Sequence, residues 1–143
     1  MQVHRSALVA HTPERLFDII EAAEHYPRFL PWCAGADILQ RNDEVVAARI
    51  AVAWRGVRFS FVTRNPKRRP TWMAIGLEEG PFRRFDGQWT LAPVADWGCR
   101  VDFRLDYEMN SALLGSLAGP VFHHAVDTLV DAFVRRADEP MQS

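Results

Sequence analysis

The chain has 143 residues, of which 48% are apolar and 24% are charged, and its formal net charge is −1. This length and composition are typical of one globular domain and exclude a disordered or collagen-like chain. The near balance of 17 basic and 18 acidic side chains argues against a protein that holds DNA through its overall charge.

Export signals and metal motifs are both missing from the sequence. No apolar run approaches the ~20 residues that span a bilayer, and the first residues lack the apolar stretch of a signal peptide. The sequence therefore predicts a cytoplasmic protein. Cys33 and Cys99 form no CxxC pair, and the adjacent His123 and His124 cannot both face one ion from a helix. We expect buried free thiols and no metal site.

The first elements in chain order are a strand and two short helical segments. Residues 2–10 read as the strand, and a helix begins after Thr12, which can cap it, with Pro13 in the first helical position. A second short helical or looped segment covers residues 24–32, where two prolines prevent a long regular element.

From residue 36 to residue 109 the hydrophobic period changes to two, which is typical of strands. Five turn-like segments divide this region into about six strands joined by short connections, which indicates an antiparallel meander. The last strand alternates most clearly, with one apolar face and one charged face. The turns are predicted at residues 41–43, 55–56, 65–66, 79–81 and 95–98, and the apolar face at Cys99, Val101, Phe103, Leu105, Tyr107 and Met109.

A long helix is predicted from Ser111, a suitable cap, to about Ala137. Gly119 and Pro120 interrupt its first half, because proline removes one helical hydrogen bond and clashes with the preceding turn. We therefore expect a kink or break near Gly119. It either bends the helix to follow the sheet or acts as the hinge of a lid over a pocket.

Three long stretches of mixed composition carry a family resemblance. Residues 26–33 (YPRFLPWC), 80–89 (GPFRRFDGQW) and 101–109 (VDFRLDYEM), with 113–115 and 121–122 after them, resemble the coenzyme Q-binding family of START-like proteins in the polyketide cyclase superfamily. Bacterial members of that family include the ribosome association toxin. The flanking residues 5–9 and 132–137 also fit, so the resemblance covers nearly the whole chain.

The resemblance implies an α+β helix-grip fold of START-like type. A curved antiparallel sheet of about seven strands would wrap around a long C-terminal helix, with two short helices after the first strand. Residues 1–138 would form a single ligand-binding domain, and residues 139–143 a tail.

The resemblance also implies non-covalent binding of ubiquinone or a similar isoprenoid lipid, with no cofactor. An isoprenoid tail needs an elongated apolar channel, and a quinone ring stacks on aromatic side chains. Tyr107 or Trp89 would donate a hydrogen bond to the ring. Aromatic alternation alone does not distinguish such a lining from a filled core. The expected wall consists of Tyr26, Phe29, Trp32, Phe59, Phe61, Phe85, Trp89, Phe103, Tyr107, Leu117, Val121 and Phe122.

The charges are unevenly distributed along the chain. Residues 41–70 contain eight basic and two acidic side chains, a local balance of +6, which leaves −7 for the rest. Residues 64–70 are predicted to form a protruding hairpin tip. Such a tip is either a merely solvated loop or a contact for an anionic partner, namely lipid at the inner face of the membrane or ribosomal RNA. Its candidate contacts are Arg64, Lys67, Arg68 and Arg69.

Three functions follow from these observations. The first is a carrier or chaperone that binds ubiquinone and supports its use or synthesis in respiration. The second is a translation inhibitor that binds the large ribosomal subunit and blocks subunit joining. The third, a cyclase or dehydratase, is least favoured, because the sequence has no GxSxG or HExxH motif and its inward-facing positions carry almost no ionisable group. We therefore expect a binding protein rather than an enzyme.

Overall fold

One seven-stranded antiparallel sheet dominates the computed structural model, which describes residues 1–140. Its strand order is β1-β7-β6-β5-β4-β3-β2, so every neighbour except the β1–β7 pair is also adjacent in sequence. The α+β fold and the seven strands confirm the prediction. Part of the predicted tail, residues 141–143, lies outside the described residues. The strands are β1 (Gln2–Val9), β2 (Cys33–Arg41), β3 (Val45–Trp54), β4 (Val57–Arg68), β5 (Trp72–Glu79), β6 (Phe82–Val94) and β7 (Gly98–Met109).

Two short helices follow β1, as predicted. Helix α1 (Pro13–Glu21) begins after Thr12, whose hydroxyl accepts a hydrogen bond from the backbone N–H of Arg15 at 3.2 Å. This bond satisfies one of the free N–H groups at the start of the helix. The second is a short 3₁₀ helix (Ala23–Arg28) that packs against β2. Helix α1 packs instead against the last helix of the chain, β6 and β7.

The connection between β4 and β5 differs from the prediction. Residues 65–66 were expected to form a turn, but β4 continues through them to Arg68. Pro66 has no N–H to donate, and the side-chain oxygen of Asn65 accepts a hydrogen bond from the backbone N–H of Gly76 on β5 at 3.4 Å. A side chain therefore supplies the cross-strand bond at this point, and the strand persists past the proline.

The C-terminal region is two helices, α2 (Ala112–Asp127) and α3 (Leu129–Asp138), rather than one. Helix α2 continues through Gly119, so the break predicted there is wrong. The break lies at Thr128, whose hydroxyl donates to the carbonyl oxygen of His124 at 2.9 Å. Such bonds from a threonine back to an earlier carbonyl compete with the helical pattern. A lid movement of α2 stays a prediction.

The main core lies between one face of the sheet and the helices. The predicted apolar face of β7 is confirmed, since all six of its side chains are at most 6% exposed. Phe17 of α1, Phe103 of β7 and Phe133 of α3 are among the largest fully buried side chains. Cys33 and Cys99 are both buried, as expected. The helices therefore pack on the face that the sequence pattern marked as apolar.

Candidate ligand-binding site

A cavity lies between the sheet and the helices, with about 790 Å³ of empty space when the part open to solvent is included. Most of its wall is apolar. The lining residues are Ile20, Glu21, Ala23, Tyr26, Trp32, Val46, Ala48, Ile50, Phe61, Thr63, Asn65, Met73, Ile75, Phe85, Trp89, Phe103, Leu105, Phe122, Ala125, Val126 and Leu129.

Seven of the twelve side chains that were predicted to contact a ligand line this cavity. They come from six different parts of the fold, which explains why no single sequence segment contains the site. On β4, β6 and β7 the inward phase of the strand places them there. The seven are Tyr26, Trp32, Phe61, Phe85, Trp89, Phe103 and Phe122.

The other five predicted side chains do not line the cavity. Leu117 is 60% exposed, because it lies on the outer face of α2. Phe29 packs beside the cavity against the ring of Phe133, at a centroid distance of 5.7 Å. Phe59, Tyr107 and Val121 belong to the packing around α2 rather than to the cavity wall. Helical periodicity alone did not distinguish the inner from the outer face of α2.

Rings around Phe122 form a tightly packed cluster. Phe122 lies 4.8 Å from Tyr107 and 5.0 Å from Phe82, measured between ring centroids, and Phe82 lies 4.9 Å from Phe85. These distances are typical of edge-to-face and tilted aromatic pairs, which stabilise a core beyond the burial of their area. The aromatic residues therefore serve in two ways, since some rings fill the core and others line the cavity.

Neither buried phenol offers a free hydroxyl to the cavity. The Tyr26 hydroxyl donates to the backbone carbonyl of Ile20, and burial raises the pKa of Tyr26 well above its usual value. Burial also raises the pKa of Tyr107 to about 12, and its hydroxyl lies 3.4 Å from Nδ1 of His123. Tyr107 therefore does not fit the expected role of donor, whereas Trp89 lines the cavity and its donor role stays a prediction.

Sequence reasoning missed the polar part of the wall. Glu21, Thr63 and Asn65 line the cavity together. Neither Thr63 nor Asn65 is among the predicted site residues, and Asn65 belongs to a segment that the sequence predicts to be a turn. Continuing the alternation of β4 beyond Phe61 would have found both. Glu21 comes from α1 and adds an ionisable group that the inward positions of the predicted strands do not include.

The carboxylate of Glu21 is held by two cations. Its Oε2 lies 3.0 Å from Nζ of Lys67, whose side chain is only 6% exposed, and its Oε1 lies 3.2 Å from Nε of Arg41. Arg41 also contacts both carboxylate oxygens of Glu24, at 2.6 and 2.8 Å. Ion pairs between α1, the 3₁₀ helix, β2 and β4 therefore close the polar side of the cavity.

These ion pairs also correct the predicted basic tip. Lys67 is buried against α1, and Arg69 binds both carboxylate oxygens of Asp18, at 2.8 and 3.0 Å. Arg64 donates to the side-chain oxygen of Gln40 at 2.6 Å. Arg68 is exposed and has no ion pair among residues 1–140. The acidic face of α1 thus pairs with this region, and a freely protruding hairpin is not formed.

A family model described as "Polyketide cyclase / dehydrase and lipid transport" matches residues 9–134. The ribosome association toxin RatA of Vibrio cholerae is 33% identical over 138 residues, which cover 96% of each chain. The mitochondrial coenzyme Q-binding protein coq10 of Schizosaccharomyces pombe is 25% identical over 138 residues, covering 92% of this chain and 84% of that protein.

Solved structures share the fold. A START superfamily protein from Mycobacterium smegmatis superposes with a TM-score of 0.74 at 22% sequence identity, covering 96% of this chain and 97% of that one. At this identity the likeness shows the fold alone. Within the described part of the chain, no helix is long and apolar enough to cross a membrane.

The Glu24–Arg41 pair makes stability depend on pH in a defined direction. The hydrogen bonds from Arg41 hold the pKa of Glu24 below its usual value of 4.5, so the pair stabilises the fold above that pH and is lost as pH falls through the lower, folded-state pKa. We expect the Glu24→Gln variant to lose less unfolding free energy than the wild type between about pH 6 and pH 3, measured by urea denaturation. Glu44→Gln, at an exposed site, is the control; equal losses in the wild type and Glu24→Gln would contradict the prediction.

Proposed function

Because the chain belongs to the polyketide cyclase/dehydrase and lipid transport family, we propose that it binds an isoprenoid quinone, such as ubiquinone, between its sheet and helices. In this role it acts as a carrier or chaperone that supports the use or synthesis of the quinone in respiration. The observation that carries the proposal is the largely apolar cavity bordered by aromatic rings. The relative named as a coenzyme Q-binding protein supports the same ligand class.

The chemistry of the cavity wall suits such a ligand. An isoprenoid tail gains roughly 25 cal/mol for each Å² of apolar surface removed from water, and the wall offers aliphatic side chains from β3, β5 and α2 for it. Trp32, Trp89 and Phe103 offer ring faces on which a quinone stacks. Binding of this kind requires no covalent step.

A binding role also fits the ionisable groups better than catalysis does. Glu21 is the carboxylate in the cavity wall, and each of its oxygens lies within 3.2 Å of a cationic nitrogen. A general base must accept a proton from the substrate, and this carboxylate is already committed to Lys67 and Arg41. We therefore favour a binding protein over a cyclase or dehydratase.

The quinone proposal predicts quenching of tryptophan fluorescence on titration with a short-tailed ubiquinone analogue, since Trp32 and Trp89 border the cavity. Ala48→Phe places a ring in the cavity and should abolish saturable quenching. Ala51→Phe is the matched control, because Ala51 pairs with the exposed Ser60 on the opposite face of the sheet. Equal quenching in both folded variants would contradict binding in this cavity.

The surface for peripheral membrane contact lies on α2 in this proposal, not on the basic residues of β4. Leu113 and Leu117 are 70% and 60% exposed, and residues 112–122 contain no charged side chain. On the same helix face, His124 stacks on Trp54 at 6.2 Å, and the guanidinium of Arg55 lies 5.7 Å from the Trp54 ring. Apolar side chains next to a cation suit the interface of an anionic membrane.

The membrane surface is tested by co-sedimentation with vesicles that contain anionic phospholipid. Changing both Leu113 and Leu117 to Ser should lower the bound fraction several-fold, because these side chains supply the apolar contact. Leu39→Ser is the control, since Leu39 is 48% exposed on β2, away from this helix. Equal vesicle binding by the double variant and the control would contradict the proposal that Leu113 and Leu117 contact the membrane.

Binding to the large ribosomal subunit is the second candidate function, in which the protein blocks subunit joining. The relatives named ribosome association toxin favour it. A basic surface is also available on β4, on the face of the strand opposite Thr63. The exposed arginines of this face are Arg58, Arg64 and Arg68. Exposed arginines along one strand face suit the phosphates of RNA.

Charge reversal on this face separates the second candidate from the first. Arg58→Glu with Arg68→Glu should reduce co-sedimentation with large ribosomal subunits by at least about tenfold at low salt, because phosphate contacts are lost. Arg28→Glu with Arg135→Glu is the matched control, as both residues are exposed and far from β4 in sequence. Unchanged co-sedimentation of the β4 variant would remove this surface as a ribosome contact.

A further inference from the structure

The cavity has one polar corner, and β4 forms it. Successive inward positions of this strand change from Phe61 to Thr63 and then to Asn65, and Lys67 follows next. Thr63 and Asn65 line the cavity, whereas Lys67 forms the ion pair with Glu21 at its edge. Polarity therefore increases along one line of the wall, from an aromatic ring to a hydroxyl, an amide and an ion pair.

Thr63 is a buried polar side chain whose hydroxyl lacks a protein partner. Its residue is 6% exposed, and none of the side-chain hydrogen bonds in residues 1–140 involves it. In the described part of the chain, the fully enclosed side-chain atoms without a hydrogen bond are Nδ1 of His25 and Oδ1 of Asp127, so the Thr63 hydroxyl keeps some accessible surface. Because Thr63 borders the cavity, a ligand there is in a position to supply the missing bond.

Asn65 points its donor end toward the same region. Its Oδ1 accepts from the backbone N–H of Gly76 at 3.4 Å, which identifies the other end of the amide as the NH₂ group. The Nδ2 atom lies 3.8 Å from Sδ of Met73, another residue of the cavity wall. A thioether is a weak acceptor, so this amide retains donor capacity.

The neighbouring polar groups are already occupied. The Tyr26 hydroxyl donates to a backbone carbonyl, and both oxygens of Glu21 are ion-paired. Two residues along a strand are about 7 Å apart, so Thr63 and Asn65 span a distance comparable to a substituted six-membered ring. Their donors match the carbonyl oxygens of a ligand rather than its hydrocarbon part.

We propose that Thr63 and Asn65 bind the oxygen-bearing ring of the ligand and thereby set its orientation and class. This inference rests on the proposed quinone-binding function. The ring lies at the polar corner, with its carbonyl oxygens accepting from the Thr63 hydroxyl and the Asn65 amide, and the tail extends along the apolar wall. A lipid without carbonyl oxygens leaves both donors unpaired and binds more weakly, because a polar site rejects a ligand that lacks its partner atoms.

The experiment compares two ligands with the same tail, of which one carries carbonyl groups on its six-membered ring and the other carries none. One is a short-tailed benzoquinone, followed by tryptophan quenching, and the other is an alkylbenzene with the same tail, followed by its competition with the quinone. The Thr63→Val variant removes the hydroxyl with little change of shape and should weaken quinone binding about five- to tenfold. Its affinity for the alkylbenzene should be unchanged or higher.

Three further variants keep the test independent of folding. Thr63→Ser retains the hydroxyl and should restore most of the quinone affinity, while Thr90→Val makes the same chemical change at a half-buried site on the outer face of β6 and should have no effect. Asn65→Asp keeps the acceptor for Gly76 but removes the NH₂ donor, and should also weaken quinone binding.

The outcomes separate this inference from the function on which it rests. Wild-type protein that binds the quinone while Thr63→Val and Asn65→Asp bind it equally well overturns the carbonyl-recognition site and leaves the quinone function standing. Wild-type protein that binds both ligands with the same affinity also overturns it. Wild-type protein that binds neither ligand overturns the quinone function and this inference together.

Discussion

The apolar face of the sheet, which the helices must cover, is the constraint on which the rest of the structure depends. Seven antiparallel strands present one broad apolar face, and α2 and α3 fill it with Phe122 and Phe133 over β6 and β7. Over β3 the wall consists of smaller side chains, including Val46 and Ala48. Interiors normally contain few voids larger than one water molecule, so the space left between large rings and small aliphatic residues is a distinctive feature of the fold.

The acidic face of α1 determines which basic residues form ion pairs and which remain exposed. The charge pattern along the chain indicated a strongly basic region, yet Asp18 and Glu21 pair with Arg69 and Lys67 from that region. Residues far apart in sequence thus neutralise one another, and the remaining exposed cations are spread along the outer face of β4. The same pairing places a polar wall beside Thr63, so one set of contacts closes the cavity and removes the basic tip.

Local patterns predicted most of the architecture. The alternation of β7 and the Thr12 cap appear in the structure as expected, because each depends on neighbours in sequence. The turn expected near Pro66 is absent because Asn65 bonds to Gly76 across the sheet, and helical periodicity did not reveal that Leu117 faces outward. Seven predicted cavity residues are in place, and the alternation of β4 also contains Thr63 and Asn65. The ion pairs of Glu21 depend on tertiary contacts that no local pattern contains.

The names of the relatives point to two different partners, a quinone and the ribosome. The cavity is the feature of this protein that relates to the quinone. The most direct test of a quinone-binding cavity is mass spectrometry of lipids extracted from the purified protein after expression in a host that makes ubiquinone. Ubiquinone enriched in the extract relative to phospholipid is the expected result. Folded protein that yields no quinone would contradict the assignment of the cavity to this ligand.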